Sequence, residues 1–111
     1  MAANFKPLNA WAIRENVPHK DARRLHELLT LRHDQGVRVC NGDPHPKVKN
    51  NGDKNANSDA WSKEEDITIK KIDDICARIG LTYDPGTGLW GSFKRNGSYI
   101  GDLPDCNEDD E

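Results

Sequence analysis

The run WSKEEDITIKKIDDICARI, residues 61–79, decides the fold. Trp61, Thr68, Ile69, Ile72, Ile75, Cys76 and Ile79 recur at helical spacing, which gathers them into one stripe of an α-helix. Ser58 or Asp59 can serve as N-cap, because a short oxygen-bearing side chain accepts one of the first unpaired backbone N–H groups. Ser62 with Glu65 offers a capping box should the helix begin later. The earlier start is preferred, since it keeps Trp61 on the apolar face. Gly80 ends the helix as its left-handed C′ residue.

The stripe needs a surface to cover it, and the residues after Gly80 supply one. Leu81-Thr82-Tyr83 is followed by the turn-rich Asp84-Pro85-Gly86-Thr87-Gly88, then Leu89 to Arg95, Asn96-Gly97, and Ser98 to Leu103. Asn-Gly between two alternating runs predicts a hairpin, because both residues accept the positive φ of a type I′ turn. Pro104 has no N–H to donate and closes the ladder. Trp90 and Ser92 fall on one side of the middle strand; Leu89, Gly91 and Phe93 fall on the other. One of Trp90 and Phe93 must face inward for the hairpin to pack.

Upstream, Pro18 opens a helix expected over His19 to Gln35, with Gly36 beyond its end. Ala22, Leu25, Leu28 and Leu29 share one face; Leu31 lies off it and either meets the N-terminal arm or stays exposed. Val37-Arg38-Val39-Cys40 reads as a brief strand or as more helix. Residues 1–17 form an N-terminal arm, partly disordered ahead of Leu8, whose Trp11 and Ile13 dock on the core either in irregular chain or as a short helix. Residues 41–58, NGDPHPKVKNNGDKNANS, are almost wholly turn formers and form a long polar loop, disordered or functional. The expected fold is α+β: two helices on a small antiparallel β-meander in the order α-α-β-β-β. A single domain over 18–104 is flanked by the arm and by a disordered acidic tail at 105–111.

The 111 residues fit one domain, and 34% hydrophobic against 32% charged leaves a small core. A partner protein or a second copy of the chain would complete the burial. No stretch approaches the ~20 apolar residues of a membrane span, and MAANFKPLNAWAIREN lacks a signal-peptide core. The cytoplasm is therefore the expected compartment, and no membrane partner is expected. Cys40, Cys76 and Cys106 are widely spaced and odd in number, which opposes a disulfide framework; Cys76 sits in the stripe as a buried thiol. Residues 1–56 carry a net charge of +4 and residues 57–111 carry −7. The acidic excess is concentrated in DCNEDDE, residues 105–111, a solvating tail or an acidic contact segment.

Several constellations carry possible chemistry. His19, His26 and His33 repeat every seven residues, about 10.5 Å apart along a helix, too far for one metal ion. They form a boundary stripe against the N-terminal arm or a partner instead. Cys40, Asp43 and His45 make a C-x-x-D-x-H cluster, the one candidate metal set, to which His33 could add a fourth ligand. Asp53, Asn55, Asn57, Asp59 and Glu64 echo calcium-loop spacing, but Ser58 stands where that loop needs glycine. Trp90, Lys94, Arg95 and Tyr99, with Phe93, put aromatic and basic groups on one hairpin, suited to a protein partner or to stacking on single-stranded nucleic acid. Lys20, Arg23, Arg24 and Arg32 are interleaved with Asp21, Glu27 and Asp34, the pattern of a solvated, locally paired face. No GxSxG, P-loop or GxGxxG occurs, and the adjacent carboxylates of the third quarter diverge around their helix, so no catalytic residue and no cofactor are nominated.

Cys40-Asn-Gly-Asp-Pro-His-Pro46, Lys54 to Trp61, Leu81-Thr-Tyr83, Gly88-Leu-Trp90 and Asn96-Gly97 through Leu103-Pro104 follow one another in an order that resembles small tailed-bacteriophage and prophage proteins. The resemblance covers roughly the last two-thirds of the chain and rests on turn and core residues. It implies a phage origin and no activity. The expectation is a non-enzymatic accessory protein that binds a host or phage protein, with nucleic-acid binding through the basic first half and a metal site at Cys40, Asp43 and His45 as alternatives.

Overall fold

A computed structural model of the chain describes residues 6–49, 52–86, 88–101 and 103. Three helices precede three strands: α1 Lys6–Glu15, α2 His19–Asn41, α3 Lys54–Arg78, β1 Thr82–Asp84, β2 Ser92–Arg95 and β3 Ser98–Gly101. The α+β class holds, with one helix more than expected. Within the arm, residues 6–15 are helical and bury Leu8, Trp11 and Ala12. Trp11 docks as anticipated. Ile13 does not: it is 72% exposed, because it follows the buried Ala12 by one position and so points about 100° away. The acidic tail, residues 105–111, lies outside the described residues.

The helix expected to stop before Gly36 runs on to Asn41, so Val37–Cys40 is helical and the strand alternative is wrong. Gly36 is a packing residue. A Cβ there would lie 2.8 Å from Leu89 Cδ2 and 2.9 Å from Glu65 Oε2, so its hydrogen lets the neighbouring loop and α3 approach. The helix ends instead at Gly42, whose N–H groups with the Arg38 carbonyl at 2.9 Å. The long polar loop is correspondingly shorter than 41–58. Asp53, not Ser58 or Asp59, caps α3, its carboxylate accepting the Ala56 N–H at 3.1 Å. Ser58 and Asp59 lie inside the helix, where the Ser58 hydroxyl donates to the Val39 carbonyl at 2.8 Å.

α2 and α3 form an antiparallel hairpin. Its seam is tied by Asp21 to Arg78, by Arg32 to Glu65, and by the Thr68 hydroxyl to Gln35 Oε1 at 2.7 Å. The stripe that opened the sequence reading is confirmed in its inner part: Thr68, Ile72, Ile75 and Cys76 are buried, and Ile69 and Ile79 pack beside them. Each fully buried aliphatic side chain contributes about 2 kcal/mol of transfer free energy.

The strands make one antiparallel sheet in the order β1-β2-β3. Asn96 (φ 52°) and Gly97 (φ 80°) turn β2 into β3, both in the left-handed region a type I′ turn demands. β2 is shorter than the expected Leu89–Arg95, since Leu89 and Trp90 belong to the preceding turn, and β3 ends at Gly101 before Leu103. Tyr83 and Phe93 are register partners on the inner face, with ring centroids 5.3 Å apart, and Trp11 of α1 approaches Phe93 at 6.3 Å. Thr82, Lys94 and Tyr99 form a row across the outer face. A bulge between Phe93 and Lys94 shifts the β2–β3 register. Of the two inward candidates it is Phe93 that enters the core.

Two glycines with the same backbone sign provide an internal control. Gly91 (φ 74°) lies against Tyr83, where a Cβ would come within 2.4 Å of the hydroxyl; Gly97 (φ 80°) has nothing within 4 Å. Gly97→Ala should cost only the left-handed strain, about 1–2 kcal/mol. Gly91→Ala should cost about 3 kcal/mol or more, because it must also displace the Tyr83 ring. Urea denaturation of the two variants measures the difference.

Candidate functional site

The site is the surface formed where the β1–β2 connection crosses α2, and it is organised from beneath by Arg32. This side chain is 6% exposed, although its charged neighbours suggested a solvated face. The reason is helical spacing: Arg32 follows Leu28 by four and Leu25 by seven, so it extends the buried stripe. Asp21, four before Leu25, is buried by the same rule. Both corrections were legible in the heptad spacing, which the surrounding charges obscured.

The planar guanidinium satisfies four acceptors. Arg32 Nε donates to Glu65 Oε2 at 3.1 Å, Nη1 to the Gly88 carbonyl at 2.9 Å and to the Tyr83 hydroxyl at 3.4 Å, and Nη2 to the Pro85 carbonyl at 3.1 Å. The Tyr83 hydroxyl in turn donates to the Trp90 carbonyl at 2.7 Å. Three carbonyls of a short, turn-rich connection are thus held by two side chains rooted in the core. Burial pushes the Tyr83 hydroxyl up to about 12, against the opposing pull of Arg32. Burial also pushes the Cys76 thiol up to about 12, with the Asp73 charge adding to the effect.

What this framework presents is Trp90. Its indole stacks on the His33 ring, centroids 4.2 Å apart and planes 12° from parallel, and remains 42% exposed. His33, expected to face the N-terminal arm or a partner, instead meets Trp90 of the β1–β2 connection. Tyr99 stands on the outer sheet face, 64% exposed, in register with Lys94. Arg95 turns the other way: its guanidinium donates to the Glu15 carbonyl and pairs with the Glu15 carboxylate at 3.7 Å, latching the hairpin to the end of α1. Trp90, Lys94 and Tyr99 therefore remain as surface groups, while Arg95 serves the fold.

The second constellation does not converge. Cys40 is exposed on the last turn of α2. Asp43 contributes its backbone carbonyl, which accepts from Trp61 Nε1 at 3.0 Å. His45 is buried; its Nδ1 accepts the Lys47 N–H at 3.0 Å, which leaves the proton on Nε2 to be donated to the Glu64 carboxylate. The ring also meets Trp61 edge-on at 4.5 Å, and the Arg38 guanidinium lies over the same indole at 4.9 Å. Among the described residues no three His, Cys, Asp or Glu side chains are grouped to hold a metal ion. The calcium-like spacing of Asp53 to Glu64 is likewise taken up by the cap and first turns of α3, so its oxygens point around a helix. His45 is instead the bolt of the α2–α3 connection.

No helix among the described residues is long and apolar enough to cross a membrane. Comparison with family models, with curated proteins and with solved structures finds no match for the chain.

Replacing Arg32 by Met keeps the stem and removes the donors. It leaves Glu65 and two loop carbonyls without their partner, and should cost about 3–5 kcal/mol in urea denaturation. In alkali the sign runs one way. Tyr83 and Cys76 both hold their protons more tightly folded than unfolded, so their contribution is complete below pH 9. It is lost as pH rises toward about 12, and the urea midpoint should fall across that window, less steeply in Tyr83→Phe.

Proposed function

We propose that the protein is a non-catalytic binding module whose partner is another protein, engaged through Trp90 and the outer face of the β2–β3 hairpin. The observation that carries this reading is the Trp90 indole, stacked on His33, partly exposed, and fixed through its own carbonyl by Tyr83 and Arg32. Interface energy concentrates on aromatic anchors, and an anchor already held in place loses little conformational entropy on binding. Tyr99 and Lys94 extend the same connection onto the sheet and add polar contacts at its rim. The resemblance to tailed-phage proteins supports a phage or prophage accessory protein acting on a host or phage protein in the cell that carries it.

Nucleic acid is the second reading, favoured by the row of Thr82, Lys94 and Tyr99 across an exposed sheet face. The arginines argue against it as the main role: Arg24, Arg32, Arg38, Arg78 and Arg95 are each paired with a carboxylate of the chain.

Affinity capture from bacterial lysate, run in parallel with the wild type and with Trp90→Ala/Tyr99→Ala, tests the proposal. A protein retained by the wild type should be lost from the double variant, whose circular dichroism should be unchanged because neither ring belongs to the buried core: Tyr99 is 64% exposed and Trp90 42%. Identical captured sets would sink the reading. Fluorescence anisotropy with a single-stranded oligonucleotide at two salt concentrations separates the alternative, since a phosphate interface must weaken steeply as salt rises.

A further inference from the structure

The sheet and α1 cover one side of the α2–α3 hairpin, and the opposite side carries two large aliphatic residues in water. Leu31 is 44% exposed and Ile67 is 57% exposed. Leu31 follows the buried Ala22 by nine positions, and Ile67 precedes the buried Cys76 by nine. At ~100° per residue each lies half a turn from that buried residue, on the flank of its helix's buried arc that carries Gln35 and Leu28 in α2 and Ile75 in α3. The ties of Arg32 to Glu65, Gln35 to Thr68 and Asp21 to Arg78 fix the register of the hairpin. In that register Leu31 is level with Ile67, Glu27 with Lys71, and Arg24 with Asp74.

We infer that this open face binds a second copy of the same chain, closing a four-helix bundle about a two-fold axis parallel to the helices. Such an axis carries α2 of one protomer over α3 of its partner without changing level. Each α2 residue then meets the α3 residue with which it is level in its own chain. Leu31 meets Ile67 of the partner subunit, twice by symmetry, so four aliphatic side chains leave water at the centre. Arg24 meets Asp74 of the partner subunit and Glu27 meets Lys71 of the partner subunit, each opposite in charge. Within one chain Arg24 and Glu27 are already paired at 3.1 Å, half-exposed, so the second copy completes an alternating four-charge network. Toward the two ends Lys20 meets Arg78 of the partner subunit and Asp34 meets Glu64 of the partner subunit, like against like, but within each chain Asp21 already holds Arg78, Arg38 holds Asp34 and His45 holds Glu64. A perpendicular two-fold centred on Leu31 would instead set Arg24 against Arg38 of the partner subunit, like against like.

Sedimentation equilibrium of the reduced 111-residue chain tests the arrangement, with circular dichroism as the control for folding. The wild type should be dimeric at tens of micromolar. Ile67→Lys should be monomeric with an unchanged spectrum, because Ile67 is exposed within its own chain. Arg24→Asp should weaken the dimer by about tenfold or more, and the addition of Asp74→Arg should restore it. Trp90→Ala/Tyr99→Ala should leave the dimer intact, which keeps this inference separable from the partner-binding reading. A wild-type monomer at these concentrations, a dimer indifferent to Ile67→Lys, or failure of Asp74→Arg to restore Arg24→Asp would each overturn it.

Discussion

A single buried cation sets the geometry of this small protein. Arg32 brings a guanidinium into the junction of α2, α3 and the β1–β2 connection, where it meets Glu65, Tyr83 and two main-chain carbonyls. Taking a charge out of water is costly, and the cost is offset only when every donor finds an acceptor in good geometry. That requirement works in both directions. The acceptors fix Arg32, and Arg32 fixes a connection whose Asp-Pro-Gly composition would otherwise leave it many conformations. A planar five-donor fork can span a helix, a tyrosine and two carbonyls at once; an ammonium could not.

The same logic recurs at the other end of the hairpin. Trp61, Asn57 and Ser58 of α3 hold the carbonyls of Asp43, Gly42 and Val39, and His45 is pinned between Lys47 N–H and Glu64. With few large apolar residues available, the chain closes its junctions with side chain to main-chain hydrogen bonds, each of which contributes about 1 kcal/mol. The aliphatic core then has to stabilise only the central layer between the helix hairpin and the sheet. Besides Ile13 on α1, this division leaves exposed the Trp90–Tyr99 side of the hairpin and the Leu31–Ile67 side of the helices. They lie on opposite sides of the α2–α3 layer, so a protein partner and a second copy of the chain need not compete.

α3 and the hairpin turn are legible in the sequence because each is written in local chemistry, whereas the choice of Phe93 over Trp90 as the inward ring came only with the structure. Isoleucines at helical spacing, Asn-Gly between alternating runs and a proline after the last strand act over a few residues. Gly36 was misjudged for a related reason. Glycine ends helices through its backbone freedom, yet here it is retained because Leu89, 53 positions later, packs where a Cβ would stand. The N-cap shifted from Ser58 to Asp53 because α3 gains a turn that packs on the end of α2, a gain invisible from α3 alone. Cys40, Asp43 and His45 are not brought together, because the chain leaves α2 at Gly42 with Cys40 exposed on the helix and His45 buried beside Trp61.

By itself, then, the sequence determined the body of α2, the apolar stripe of α3 and the hairpin turn, since periodicity and turn chemistry are properties of neighbouring residues, while α1, the last turn of α2 and the first turn of α3 emerged only in the structure. Tertiary structure decided which charged residues are buried, which aromatic ring is presented and which aliphatic residues are left in water. Arg32 and Arg24 look alike in a list of basic residues on one helix, and only the packing of α3 and the β1–β2 connection against one of them makes it an anchor. Hydrogen bonding of a buried charge depends on groups brought together from distant parts of the chain, and no local pattern encodes that meeting.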